Sequence, residues 1–127
     1  MPDFRTACHI HAAVFAALFA IYVVLPGLPL AAFDQTATPG AQLAIRRSGV
    51  VLLGIAVILM LVRNTGPSPE RRAIVLGVVV IWAGLALFGV QAILRGVAGW
   101  TAWGTVAVEL SLAALMVPHL RARRTEG

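Results

Sequence analysis

The chain has no lysine, a single cysteine and little charge of either sign: only 12% of its 127 residues are charged. A soluble domain carries about 25%. Half that fraction, with 60% hydrophobic residues and a mean hydropathy of +0.91, excludes an ordinary water-soluble globule. It also leaves no stretch for a separate soluble domain. One cysteine excludes an intramolecular disulfide. Cys8 precedes the first apolar run rather than following it, so it is not a lipoprotein anchor. With no lysine, every basic residue is an arginine, a bias that points to a GC-rich bacterial genome. Nucleotide loops, nucleophile elbows and HExxH pairs are all missing, so nothing in the chain specifies an enzyme.

The sequence pI near 11.4 suggests nucleic acid at first sight. That partner is excluded because the arginines do not form a basic face with interleaved aromatics. They sit at the ends of apolar segments, where they orient a chain in the bilayer and meet anionic headgroups. Cys8, His9, His11 and His119 gather toward one side of the membrane, but a metal site needs three or four converging ligands. The Cys8-His9-x-His11 spacing does not place its three side chains on one helical face, so neither a metal nor another cofactor is expected.

What is present is four apolar runs. Residues 1–127 form a single domain, an all-α membrane protein with an up-down-up-down bundle of four transmembrane helices. The spans are about 7–25, 41–62, 73–94 and 97–117. Pro26-Gly27 ends the first, whose Ala12, Ala16 and Ala20 make a small-residue stripe. It is long for the apolar part of a signal peptide, and Pro26-Gly27-Leu28-Pro29 follows it, so it reads as a retained span. Val50–Val62 is too short to cross alone, since about 20 residues are needed. The second helix must therefore start near Thr38-Pro39-Gly40, with threonine as N-cap and proline at the first helical position. This puts Arg46 and Arg47 about two turns inside it. Gly66-Pro67-Ser68-Pro69 makes a short turn, Arg95-Gly96 a tight hairpin, and Leu28–Ala37 the one loop long enough to fold over anything.

Arg5, Arg63, Arg71, Arg72, Arg121, Arg123 and Arg124 fall on the side of the termini, against Arg46, Arg47 and Arg95 on the other. The positive-inside rule then places both termini in the cytoplasm of a bacterial inner membrane. Trp100 and Trp103 fall at the outer interface, and Trp82 is a mid-span packing residue.

Glu109 is the residue that demands an explanation. A carboxylate at mid-span costs about 2.5–3.5 kcal/mol on insertion scales, so it needs a partner, a proton or a water-filled cavity. From the helical rise, Glu109 lies about 12 Å from the cytoplasmic side, His11 about 6 Å, Arg47 about 22 Å and Gln91 about 27 Å. The expected polar network is Glu109 with Arg46 or Arg47, which point about 100° apart so that one faces inward, together with Gln91 and Thr105. His11 is the alternative partner. A protonated, unpaired glutamate or a wet cavity is the third outcome. Gln91, Thr105 and Ser111 read as interhelical hydrogen-bonding groups.

The layout resembles small bacterial four-helix membrane proteins of the DoxX-like group and its neighbours. The points of likeness are arginines at the start of the second helix, Gly49 and Gly54 within it, Arg63, Arg71 and Arg72 in the next connection, and Glu109 in the fourth helix. The resemblance is one of architecture over Ala41–Leu120. It implies an inner-membrane protein, with no residue role carried over. In size the chain is also similar to small multidrug transporters, but their glutamate lies in the first helix, where His9 and His11 stand here. Three expectations follow. The chain is an accessory or scaffold component that associates with other membrane proteins or with itself. Alternatively it is a proton- or cation-coupled small transporter using Glu109, or a binder of a lipophile such as a quinone, with Leu28–Ala37 as an outer lid.

Overall fold

The computed structural model describes residues 2–121. Its helices are α1 (Phe4–Val24), α2 (Gly27–Ala32), α3 (Pro39–Val62), α4 (Pro69–Leu94) and α5 (Ala102–Met116), the last continued by a 3-10 turn over Val117–Leu120. No strand occurs among the described residues. α1, α3, α4 and α5 with its extension are long and apolar enough to cross a membrane, the class expected from the sequence.

Local chemistry sets the helix ends. Asp3 accepts from the Thr6 amide at 2.7 Å, Thr38 from Ala41 at 3.2 Å and Ser68 from Arg71 at 3.1 Å. Pro39 and Pro69 occupy first helical positions, where a missing N–H costs nothing. The Arg46–Arg47 pair is helical, as the backward extension of the second span requires. Several boundaries differ from expectation. α1 starts at Phe4 rather than near Ala7, because Asp3 caps it, and the expected loop Leu28–Ala37 opens with α2. α4 starts at Pro69 rather than near Ala73, because Ser68 caps it one turn earlier. The fourth span starts at Ala102, not Val97. Gly96 takes a left-handed φ of 69°, and the amides of Gly96 and Val97 turn back to the carbonyls of Ile93 and Ala92. That double bond pattern is a Schellman stop, and residues 97–101 are spent on the connection that follows.

The four spans form two hairpins. In α1/α3 the backbones come close at Gly49, where a Cβ would stand 3.1 Å from Tyr22 Cβ. In α4/α5 the close point is Gly89, where a Cβ would stand 2.8 Å from Val106 Cγ2. Small residues allow this approach, which in lipid supplies packing rather than a hydrophobic drive. Phe4 meets His119 edge-on with ring centroids 5.5 Å apart, so both ends of the described chain lie at one end of the bundle. We call it the terminal end, and the opposite one the loop end.

Larger side chains join the hairpins, and they do so at the terminal half. Phe4, Ala7, Cys8, His11 and Phe15 of α1 are buried there with Leu59 of α3, Val75, Val78 and Trp82 of α4, and Met116 of α5. Phe15 stacks on Trp82 with centroids 4.8 Å apart and planes 16° from parallel. Toward the loop end the seam loosens. Leu18 and Tyr22 continue the buried stripe of α1 at helical spacing, yet both are only half-buried. Leu85, one heptad beyond Val78 and on its side of α4, is 44% exposed, whereas Val78 is buried. Each hairpin stays closed along its length while the two part from one another. α2 and the residues after it cross from one to the other at the loop end. Gln35 Nε2 donates to Val97 O at 2.9 Å, Thr101 Oγ1 donates to Ala32 O at 3.3 Å, and the Asp34 carboxylate fills the place a Cβ on Gly99 would take.

Candidate functional site

Glu109 lies where the hairpins begin to part. It shares the inward face of α5 with Ala102, Val106, Ala113 and Met116, spaced to fall on one side of the helix. It is only 7% exposed. Its Oε2 has no hydrogen-bond partner and rests over Gly89, 3.9 Å from where a Cβ would stand there. No ion pair reaches Glu109 among the described residues.

The expected arginine partner is therefore a correction. Arg46 and Arg47 are both exposed. Gly49 packs beside Tyr22, so Arg46 and Arg47, up to a turn further on, stand level with the end of α1 at Val24 and Leu25. α3 is displaced along α1 toward the loop end and its first turns project past the bundle. Counting depth from helix length alone missed that sliding. Gln91 is likewise outside the network: it is exposed on the outer side of α4, in an open apolar groove of about 420 Å³ with Phe88 and Leu94. Thr105 is half-buried one turn before Glu109 on the same face of α5. The Ser111 hydroxyl donates to Ala107 O at 2.7 Å within its own helix.

His11 is not the partner either. It is fully buried, with Nδ1 at 2.8 Å from Ala7 O and Nε2 at 3.0 Å from Leu112 O. The first contact lies within α1 and the second ties α1 to α5. Carbonyl oxygens only accept, so making both bonds together takes both N–H groups of an imidazolium. A neutral ring makes one of them. Trp82, its centroid 6.3 Å from that of His11, has an indole N–H without a partner.

The group that sequence reasoning passed over is Tyr22, the chain's one tyrosine. It lies three turns beyond His11 on the same face of α1. Side chains lean toward the N-terminus of their own helix. α1 and α5 run antiparallel, so Tyr22 and Glu109 lean toward each other along the seam. Helical spacing from His11 was a usable signal.

The result is a carboxyl buried beside Gly89 and Val106, with the Tyr22 phenol nearer the loop end, its Cβ against Gly49 of α3. The pair can donate and accept hydrogen bonds. It contains no nucleophile backed by a base, and among the described residues no three His, Cys, Asp or Glu side chains converge as metal ligands. No known protein family, characterised protein or solved structure matches the chain. The DoxX-like resemblance therefore contributes no residue role to this site.

Proposed function

We propose that this chain is a small multi-pass membrane protein that holds a lipophilic molecule with a polar head, a quinone being the chemical type, in the seam between its hairpins. Glu109 in its protonated form and the Tyr22 phenol donate hydrogen bonds to the carbonyl oxygens of the head. One observation carries the reading: Oε2 of the buried Glu109 has no partner, at the level where half-buried Tyr22 and exposed Leu85 follow the packed stripe. A buried polar atom left without a partner is costly, and a ligand head that completes its bonding recovers that cost. The α2 segment closes the loop end above.

The packed terminal half, with Phe15, Leu59, Trp82 and Met116, gives Glu109 no path to that side and weighs against the transporter reading. The test uses purified protein carrying Trp100→Phe and Trp103→Phe, leaving Trp82 as the reporter. A decyl-substituted quinone should quench it saturably, and Glu109→Leu should weaken binding about tenfold, the loss of one good hydrogen bond. Quenching that never saturates sinks the reading.

A second reading, an accessory or scaffold component, is favoured by Gln91. Its amide lies on the outer face of α4 among Leu87, Phe88 and Leu94. In hydrocarbon such a group is satisfied by a neighbouring helix, of another membrane protein or of a second copy. A native mass above that of the monomer that falls back on Gln91→Leu supports it. In either reading the terminal end is proposed to face the cytoplasm of a bacterial inner membrane.

A further inference from the structure

On the far side of α1 from the seam, α1 and α3 enclose an open groove of about 510 Å³. Its walls are apolar and partly small, with Ala13 and Ala16 from α1 and Leu53 and Val57 from α3. It runs from Leu53 to Arg63 along α3, about 15 Å, which is half the hydrocarbon thickness of a bilayer and so the depth of one leaflet. Its end toward the termini is cationic. His9 and Arg63 line it there. His9 Nδ1 is engaged with Arg5 O, which leaves Nε2 unengaged. Arg63 folds one terminal nitrogen back onto Met60 O at the end of α3. Its Nε–H is buried and has no partner. A guanidinium has five N–H donors, so several remain for an acceptor at the mouth.

An apolar channel one leaflet long, ending in unspent donors and positive charge, is complementary to one kind of molecule. We propose that this groove binds a single anionic phospholipid, with one acyl chain along Ala13, Ala16, Leu53 and Val57 and the headgroup phosphate on Arg63. A zwitterionic lipid would fill the walls equally but bring a choline or ethanolamine cation toward Arg63. Guanidinium–phosphate bonds are charge-assisted and strong, so selection lies in the headgroup. A second copy docking one of its helices here would leave the Arg63 donors facing an apolar helix. This site is separate from the seam that holds Glu109, and either can fail without the other.

The test is native mass spectrometry and thermal unfolding of the purified full chain with phosphatidylglycerol or phosphatidylcholine added to the micelles. The expected result is one retained phosphatidylglycerol per chain, preferred over phosphatidylcholine by about tenfold, and a raised melting temperature with the anionic lipid alone. Arg63→Gln should erase the preference, and Ala16→Leu, which narrows the groove from the other end, should reduce retention of both lipids. Equal retention of the two lipids by the native chain overturns the proposal, and that comparison needs no variant. A melting shift from inorganic phosphate equal to that from the lipid overturns it too, since the acyl chain would then contribute nothing. So does a chain that runs as a dimer and sheds all lipid.

Discussion

The Glu109 carboxyl rests on Gly89, and the absence of a side chain at that glycine is what lets α5 lie close enough to α4 to bury an acid. A Cβ on Gly89 would meet Val106 Cγ2 at 2.8 Å, a distance that forces the pair apart. Gly89→Ala should therefore destabilise the protein by about 1–3 kcal/mol through overpacking, despite the better helix propensity of alanine. A Cβ on Gly77, also in α4, would meet nothing within 4 Å. Gly77→Ala should be neutral or stabilising by up to about 1 kcal/mol. Unfolding of both variants in mixed micelles checks the contrast, and equal effects would contradict the packing described.

Arg46 and Arg47 stand clear of Glu109, so their charges should not couple to it. In a double-mutant cycle, Glu109→Gln combined with Arg46→Gln or Arg47→Gln should show an interaction energy below about 0.5 kcal/mol. A buried ion pair behaves differently: removing one partner alone costs about 3–5 kcal/mol, and removing the other recovers much of it.

His11 ties α1 to α5 through Leu112 O and is fully buried. His11→Leu puts an apolar side chain of similar size in its place and loses the hydrogen bonding of the ring to Ala7 O or Leu112 O. Stability should fall by about 1–3 kcal/mol, measured by denaturant unfolding. His9→Leu, at an exposed position on the same helix, should change stability by less than about 0.5 kcal/mol.

Orientation has its own test. Alkaline phosphatase fused after Gly127 should be inactive, and fused within Phe33–Ala37 it should be active. The count behind this includes Arg123 and Arg124, which lie outside the described residues, but Arg5, Arg63, Arg71, Arg72 and Arg121 still outnumber Arg46, Arg47 and Arg95. The opposite pattern of activity would reverse the proposed topology.

The number of spanning helices, their type and most of their ends could be read from the sequence because apolar length and capping chemistry are local; the short α2, which takes up the start of the expected loop Leu28–Ala37, could not. Thr38-Pro39 and Ser68-Pro69 announce their helices within a few residues. The fourth span was overrun at its start because residues 97–101 are apolar enough to pass for helix. Only the left-handed Gly96 and its return hydrogen bonds end α4 in a way that consumes them. Glu109 as the key acid was also legible, since a lone carboxyl in an apolar run needs no fold to be conspicuous. Its surroundings were not. Pairing with Arg46 or Arg47 depended on how far α3 slides along α1, a quantity fixed by the contact of Gly49 with Tyr22 and not by helix length. The parting of the hairpins depends on which large side chains meet, Phe15 with Trp82 on one half and no equivalent pair on the other. That information is spread over three helices.

The central claim is that Glu109 bonds directly to the polar head of a ligand in the seam, and ligand-induced infrared difference spectroscopy reads that bond. On adding decyl-substituted quinone to the native protein, the side-chain carboxyl band of Glu109 and the quinone carbonyl band should both shift. In Glu109→Leu, at a quinone concentration raised until the variant is also saturated, the carboxyl shift should vanish and the quinone carbonyl shift should shrink to the part that Tyr22 supplies. A native protein that binds the quinone with no change in the carboxyl band, or whose spectrum is matched by that of Glu109→Leu, would contradict the account.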